Sequence, residues 1–99
     1  MKRGGCIYIM TNKWKSTLYI GVTSDLRTRV AEHRTHFYPD SFTSRYNLEY
    51  CIYYEQYFSI DEAIAREKQL KKWRREKKET LINSTNPEWE DLWDDIRHW

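Results

Sequence analysis

The segment 60–81 constrains the fold most, because its apolar residues recur at the spacing of an amphipathic helix while a glutamate interrupts the apolar stripe. Glu67 stands three residues after Ile64 and three before Leu70, so the periodicity directs its carboxylate towards the core. A buried carboxylate is costly unless a cation satisfies it. Two hypotheses follow: a lysine or arginine of the chain pairs with Glu67, or Glu67 binds a cation that the chain does not supply.

The composition predicts one soluble globular domain over residues 1–99. The chain is 39% hydrophobic and 32% charged, and 99 residues suffice for one modest core. Its beginning does not resemble a signal peptide, and no run reaches the roughly 20 apolar residues of a membrane span, which predicts a cytoplasmic protein without a membrane partner. Cys6 and Cys51 lie in strand-like runs without the spacing of a zinc site or disulfide framework, so we expect two reduced, buried thiols.

Charge is unevenly distributed although the net charge is only +2. Residues 66–78 contain eight lysines and arginines against two glutamates, whereas residues 88–99 contain five acidic residues against one arginine. The basic segment predicts a face for a polyanion, and the acidic segment is able to pack on it within one chain or between two. The oligomeric state therefore stays open, and the alternative for both segments is a solvated helix surface.

Three runs of residues predict an antiparallel sheet. Residues 6–10 and 18–22 are rich in β-branched and aromatic residues, and the polar segment between them is typical of a hairpin loop. A symmetric loop places Tyr8 opposite Tyr19, and the alternation of side chains along a strand puts both tyrosines on one face. In residues 48–55, Leu48, Tyr50, Ile52 and Tyr54 alternate with Glu49, Cys51 and Tyr53, which predicts a third strand with the first set on one face.

The first predicted helix follows the hairpin. Residues 23–25 provide a hydroxyl N-cap and an acidic residue in the first turn, and the helix is expected to end near Arg34. Arg29 and His33 stand one turn apart on it, beside the apolar stripe. Residues 35–43 are predicted to be a loop.

Two further helices complete the predicted fold. The segment 60–81 is expected to form one long helix that begins at Ser59 or Asp61, and a short last helix has Asn86 as N-cap and Pro87 at its first position. The order is then β-β-α-β-α-α. This order predicts an α+β protein with a three-stranded antiparallel sheet flanked by helices.

Five segments, in order along the chain, carry a resemblance to a known family. They are Cys6-Ile7-Tyr8, Tyr19-Ile20-Gly21 and the segments 26–33, 65–73 and 86–92. Together they resemble the GIY-YIG nuclease family, in particular its small stand-alone bacterial members, over nearly the whole chain. A single matching tripeptide would be weak evidence for the family, but five matching segments in the same order are specific evidence. The chain departs from the pattern at Cys6, which stands where the first motif has glycine; Gly5 precedes it, so a shifted register stays open.

The resemblance implies metal-dependent hydrolysis of phosphodiester bonds in DNA, or in RNA, with structure-directed or weak sequence specificity. It also suggests a role in repair or in processing unusual structures. The positions that match the catalytic residues of the family are Tyr8, Tyr19, Arg29, His33, Glu67 and Asn86, with Asn83 as the alternative to the last. Of these, Glu67 matches the single metal-binding carboxylate.

These residue types suit the implied chemistry. A single carboxylate such as Glu67 leaves several waters on one Mg²⁺ or Mn²⁺ ion. Arg29 is permanently charged and suited to phosphate oxygens. Tyr8 can take a proton from water if Arg29, His33 or the metal lowers its pKa from the ordinary value near 10, and His33 can relay that proton. Tyr19 is then available to orient the water or the phosphate.

The basic side of segment 60–81 is the predicted contact for the phosphate backbone. Its residues are Lys68, Lys71, Lys72, Arg75 and Lys78. Lysines that face phosphates read charge rather than base edges, so weak sequence preference is expected. Trp14 and Tyr38 are candidates for stacking on unpaired bases. Two alternatives to an enzyme stay open: a nucleic-acid-binding module with the same fold, and a protein-interaction module built on the tryptophan-rich acidic segment.

Overall fold

The computed structural model describes residues 4–99 and contains one three-stranded antiparallel sheet with helices on both faces. The strands are β1 (Gly5–Thr11), β2 (Leu18–Thr23) and β3 (Tyr50–Tyr57), in the spatial order β2-β1-β3. The helices are α1 (Leu26–Thr35), α2 (Phe42–Arg45), α3 (Ile60–Lys71), α4 (Arg75–Thr85) and α5 (Trp93–Ile96). The predicted α+β class and the antiparallel three-stranded sheet are confirmed. None of the helices between residues 4 and 99 combines the length and apolar character needed to cross a bilayer.

The hairpin register differs from the prediction by two residues. Tyr8 lies opposite Gly21 and Tyr19 opposite Met10, so the expected direct pairing of the two tyrosines is wrong. The loop spans residues 12–17 because Thr11 still pairs with Leu18. A shift of two leaves every side chain on its predicted face. Both tyrosines therefore lie on the same face of the sheet, as predicted.

Two apolar clusters lie on opposite faces of the sheet. On one face, Tyr8 and Met10 of β1 pack against Leu26 and Val30 of α1. On the other face, the isoleucines of β1 and β2 pack against Ala63 and Leu70 of α3 and against α4. Helices α1 and α3 thus lie on opposite faces of the sheet. Strand β2 forms one edge of the sheet.

The single helix predicted over residues 60–81 is two helices, so that prediction is wrong. Helix α3 begins at the predicted cap Ser59, which forms a reciprocal capping box with Glu62, and ends at Lys71. The amide of Trp73 then bonds to the carbonyl of Leu70, the tightened turn typical of a helix end. Trp73, in the break between α3 and α4, packs on the cluster that contains Leu70.

The C-terminal segment also differs from the prediction. Asn86 ends α4 instead of capping a last helix, and α5 begins only at Trp93. The Asn86 amide donates to the carbonyls of Ile52 and Glu90, each at 2.9 Å, and its oxygen accepts from the Glu90 amide at 3.0 Å. The side chain thereby ties the segment after α4 to β3.

The cysteines agree with the prediction of buried thiols. Cys6 and Cys51 are both buried in the cluster that contains Tyr8, and neither forms a disulfide. Burial raises the pKa of Cys51 to about 12. Cys6, at the position of the first motif glycine, is accommodated within this cluster beside Leu26.

Candidate active site

A chain of buried hydrogen bonds runs from β1 through α1 to α2. The hydroxyl of Tyr8 lies 2.9 Å from His33 Nε2, and His33 Nδ1 lies 3.0 Å from Thr43 Oγ1. Burial and the nearby Arg29 lower the pKa of His33 to about 4, so the imidazole is neutral at pH 7. In the tautomer with hydrogen on Nδ1, His33 donates to Thr43 and accepts from Tyr8. The geometry thus provides a phenol bonded to a neutral base.

Tyr19 lies beside this pair and is more accessible. Its ring centroid is 6.3 Å from that of Tyr8 and 5.8 Å from that of His33. Phe42 stacks on Tyr19 with centroids 6.2 Å apart. The structure therefore brings both motif tyrosines and the α1 histidine together, on the sheet face where the sequence placed them.

Arg29 lies at the edge of this group. Its guanidinium donates to Glu32 at 3.0 Å and lies 5.6 Å from the centre of the Tyr38 ring. Arg29 lowers the pKa of Tyr8, but burial raises it more, and the net direction is upward. In the protein alone Arg29 is therefore not enough to lower the pKa of Tyr8, because the phenol is almost fully removed from water.

Gly21 makes room for the Tyr8 ring. A Cβ at this position would lie 2.3 Å from both Cζ and Oη of Tyr8, far inside contact distance. The second motif glycine is thus needed for close approach of a side chain, since the ring of Tyr8 crosses the neighbouring strand at this point. The resemblance identified this residue, but its pairing with Tyr8 depends on the register.

Glu67 lies on α3, which packs on the face of the sheet opposite to Tyr8. It lies on the buried stripe of α3 between Ala63 and Leu70, and 14% of its side chain is exposed. Lys71, one turn along, pairs with Oε2 at 2.8 Å. The first hypothesis, that a lysine or arginine of the chain pairs with Glu67, is therefore confirmed. The same lysine lines a cleft of about 340 Å³ together with Tyr19 and Phe42.

The surroundings of the Glu67 carboxylate limit which metal ion it can hold. Within the described part of the chain, no three His, Cys, Asp or Glu side chains converge as a ligand cluster. A lone carboxylate does not fit zinc, which takes three or four protein ligands. It fits Mg²⁺ or Mn²⁺, which keep several waters and share substrate phosphate oxygens. A half-exposed lysine is a weakly bound competitor for that carboxylate.

The predicted basic surface is only partly available. Lys68 and Lys72 are exposed, and Lys71 and Lys78 line the cleft beside Tyr19. Arg75 instead donates to the carbonyls of residues 15 and 16 in the hairpin loop, each at 2.8 Å. Its guanidinium holds the hairpin on α4 and would have to give up both bonds to contact a phosphate.

Two side chains of the site were missed because α2 was predicted to be part of a loop. Thr43 is the second partner of His33, and Phe42 covers Tyr19. The available signal was Ser41, whose hydroxyl caps α2 by accepting from the Ser44 amide. A buried histidine also needs a partner for each ring nitrogen, but only the fold identifies which residue supplies it.

The GIY-YIG catalytic domain model matches residues 4–80, more than half of the chain. The protein therefore belongs to the GIY-YIG family, whose members are nucleases that act on nucleic acids. No curated protein and no solved structure matches the chain significantly.

The depressed pKa of His33 predicts how stability depends on pH. The unfolded chain takes up a proton at this histidine near pH 6.5, whereas the folded protein does so only near pH 4. Protons therefore favour the unfolded state in this window, and stability falls by about 2–3 kcal/mol as the pH drops from 6.5 to 4. Urea unfolding of wild type and His33→Gln checks this. The wild type should lose more stability than the variant across the window, and equal losses would contradict the prediction.

Proposed function

We propose that the protein is an endonuclease that hydrolyses phosphodiester bonds of DNA with one Mg²⁺ or Mn²⁺ ion, with structure-directed or weak sequence specificity. The observation that carries the proposal is the buried hydrogen bond between Tyr8 and His33, with Tyr19 and Arg29 beside it. A phenol bonded to a neutral imidazole is a proton-accepting pair, and a guanidinium next to it suits a phosphate. Membership of the GIY-YIG family supports the same chemistry.

The proton of the attacking water is proposed to pass to Tyr8 while Tyr8 passes its own proton to His33 Nε2. Tyr8 then never needs to persist as a phenolate, which burial disfavours. The charge gained by His33 is balanced by the negative charge that develops on the phosphate. Thr43 acts as a positioning residue, because its hydrogen bond orients the imidazole towards Tyr8.

Access to Tyr8 requires a local movement. Only 1% of Tyr8 is exposed, and Tyr19, which packs beside its ring, lines the cleft with Phe42. We therefore expect Tyr19 to shift when substrate binds and to contact the phosphate or the attacking water afterwards. Arg29 is proposed to hold a non-bridging phosphate oxygen.

Glu67 would hold the metal, with water and phosphate oxygens as the remaining ligands. A divalent ion there supplies Lewis-acid stabilisation of the phosphate and the leaving oxygen. Lys71 would exchange its contact with Glu67 for a phosphate, and Lys68, Lys72 and Lys78 would bind the backbone on either side. Asn86 is proposed to be a positioning residue that does not contact the substrate. Its side-chain amide is already fully hydrogen-bonded to β3 and the following loop.

Nicking of branched, flapped, single-stranded and duplex DNA, with Mg²⁺, with Mn²⁺ and with EDTA, tests the proposal. Cleavage of at least one DNA that requires the metal is expected, and Tyr8→Phe should abolish it. Inactive wild type on every DNA with both metals would overturn the proposal.

A non-catalytic nucleic-acid-binding module is the second candidate. Two observations favour it: Lys71 already neutralises Glu67, and burial raises the pKa of Tyr8. Salt-dependent binding of the same DNAs without cleavage would identify this function. Metal-dependent cleavage would exclude it.

A further inference from the structure

Exposed aromatic side chains are concentrated beside the candidate site. Four large apolar residues with exposed side chains come from the ten-residue segment 37–46. Among them, Phe42 is 47% exposed and Tyr46 is 51% exposed. Their rings pack on one another with centroids 4.6 Å apart, and Phe42 stacks on Tyr19 at 6.2 Å. Tyr19, Phe42 and Tyr46 thus form a continuous aromatic ladder that leads from the candidate site into solvent.

The ladder is held in place by its own segment. The Ser41 hydroxyl accepts from the Ser44 amide, and the Ser44 hydroxyl donates to the Tyr38 carbonyl at 2.8 Å. The amide of buried Leu48 bonds to the Thr43 carbonyl at 2.8 Å. Rings that stay exposed on a fixed backbone can bind a partner without a large ordering cost.

Positive charge accompanies the ladder on both sides. The cleft under Phe42 is lined by Tyr19, Lys71 and Lys78. At the other end, Tyr46 shares a second cavity with Trp14 and Lys13, and the Lys13 ammonium lies 4.8 Å from the centre of the Trp14 ring. Exposed aromatic faces flanked by lysines are the combination that binds unpaired nucleotides, because bases stack on the rings while the ammonium groups contact the phosphates.

We propose that the aromatic ladder binds unpaired bases of a single-stranded nucleic acid and leads that strand to the candidate site. The inference rests on the proposed function for the position of the scissile phosphate, next to Tyr19. In a duplex, the base faces are already stacked on one another and cannot cover the rings. The substrate class is therefore a single strand, or a junction or flap that carries one.

Binding without cleavage tests the proposal. Fluorescence anisotropy in EDTA measures the affinity of oligothymidylate, oligouridylate and a closed hairpin duplex for the folded protein. Wild type should bind the single strands more tightly than the duplex. Phe42→Ala and Tyr46→Ala should each weaken single-strand binding by about tenfold or more, and Phe42→Tyr should preserve it. Circular dichroism checks that each variant is folded.

Phe58→Ala is the matched control, because Phe58 is 98% exposed in the turn between β3 and α3 and belongs to no ladder. It should leave the affinity for oligothymidylate unchanged within about twofold, well below the loss expected from a lost base stack. Similar losses in Phe58→Ala and Phe42→Ala would contradict the proposal, as would unchanged affinity in both ladder variants. A preference of wild type for the duplex would also contradict it.

The outcome is separable from that of the proposed function. If the ladder variants lose single-strand binding but no metal supports cleavage by wild type, the inference holds and the proposed function fails. If wild type cleaves and both ladder variants bind and cleave as wild type does, only the inference fails. If Phe42→Ala alters the sedimentation coefficient and not oligonucleotide binding, the ladder joins two copies of the chain and the proposal is wrong.

Discussion

Glu67→Gln should lower metal-dependent cleavage by about 10³-fold, because the amide keeps the shape of the side chain but removes the charge that holds a divalent ion. Single-turnover rates over a range of Mg²⁺ concentrations measure this loss. Asp61→Asn is the matched control: it makes the same chemical change on the same helix at an exposed position away from the cleft. An unchanged rate in Glu67→Gln at every metal concentration would exclude Glu67 as the ligand.

The same variant should remain folded. The Glu67–Lys71 pair places a half-exposed lysine against the carboxylate, and such pairs contribute up to about 1 kcal/mol. Loss of this ion pair should therefore change the free energy of unfolding by no more than about 1 kcal/mol. A fall of several kcal/mol in urea unfolding would show that Glu67 is structural.

Gly21→Ala should damage stability and activity together. The added Cβ would lie 2.3 Å from the Tyr8 ring, which is buried and cannot move away without disturbing the hydrogen bond to His33. Overpacking of this kind costs about 1–3 kcal/mol. Cleavage should fall further than stability alone explains, because the proton-accepting hydroxyl is displaced. Urea unfolding and single-turnover cleavage of the folded variant measure the two losses.

A double-mutant cycle identifies the cause of that loss. In a Tyr8→Ala background, the space occupied by the ring is vacant, so Gly21→Ala should cost little additional stability. Equal costs of Gly21→Ala in the two backgrounds would show that the glycine is needed for its backbone and not for the ring.

The faces of the hairpin residues were predictable, whereas the pairing of the strands was not. In β3 the predicted alternation is wrong, because a bulge opposite Ile9 and Met10 places Tyr54 in the cluster with Tyr8 and Ile52 in the other cluster. Alternation alone places Tyr8 and Tyr19 together, and it survives any even shift of register. The pairing itself depends on the loop, in which Lys15 adopts a positive φ of 59° and Asn12 bonds to Ser16. These local bonds are not encoded in the apolar pattern that identifies the strands.

The sequence contains little that predicts the break between α3 and α4 or the pairing of His33 with Thr43. Residues 72–74 contain neither glycine nor proline, so no helix-breaking residue marks the break, and Trp73 packs on the core within it. Thr43 becomes a partner of His33 only when α2 folds back on α1. The Glu67–Lys71 pair was the most local of these contacts, since residues four apart on a helix are neighbours.

The bonds between the C-terminal segment and β3 determine which residues a transferable form of this domain must contain. The family model ends at residue 80, yet Ile82 and Ile96 are fully buried, and the Leu92 amide bonds to the Cys51 carbonyl. A fragment trimmed at the limit of family similarity would expose apolar surface on both sides of the sheet. A form of the domain that is grafted onto another protein should therefore retain residues 81–96, because these residues cover both faces of the sheet and are part of the folded domain.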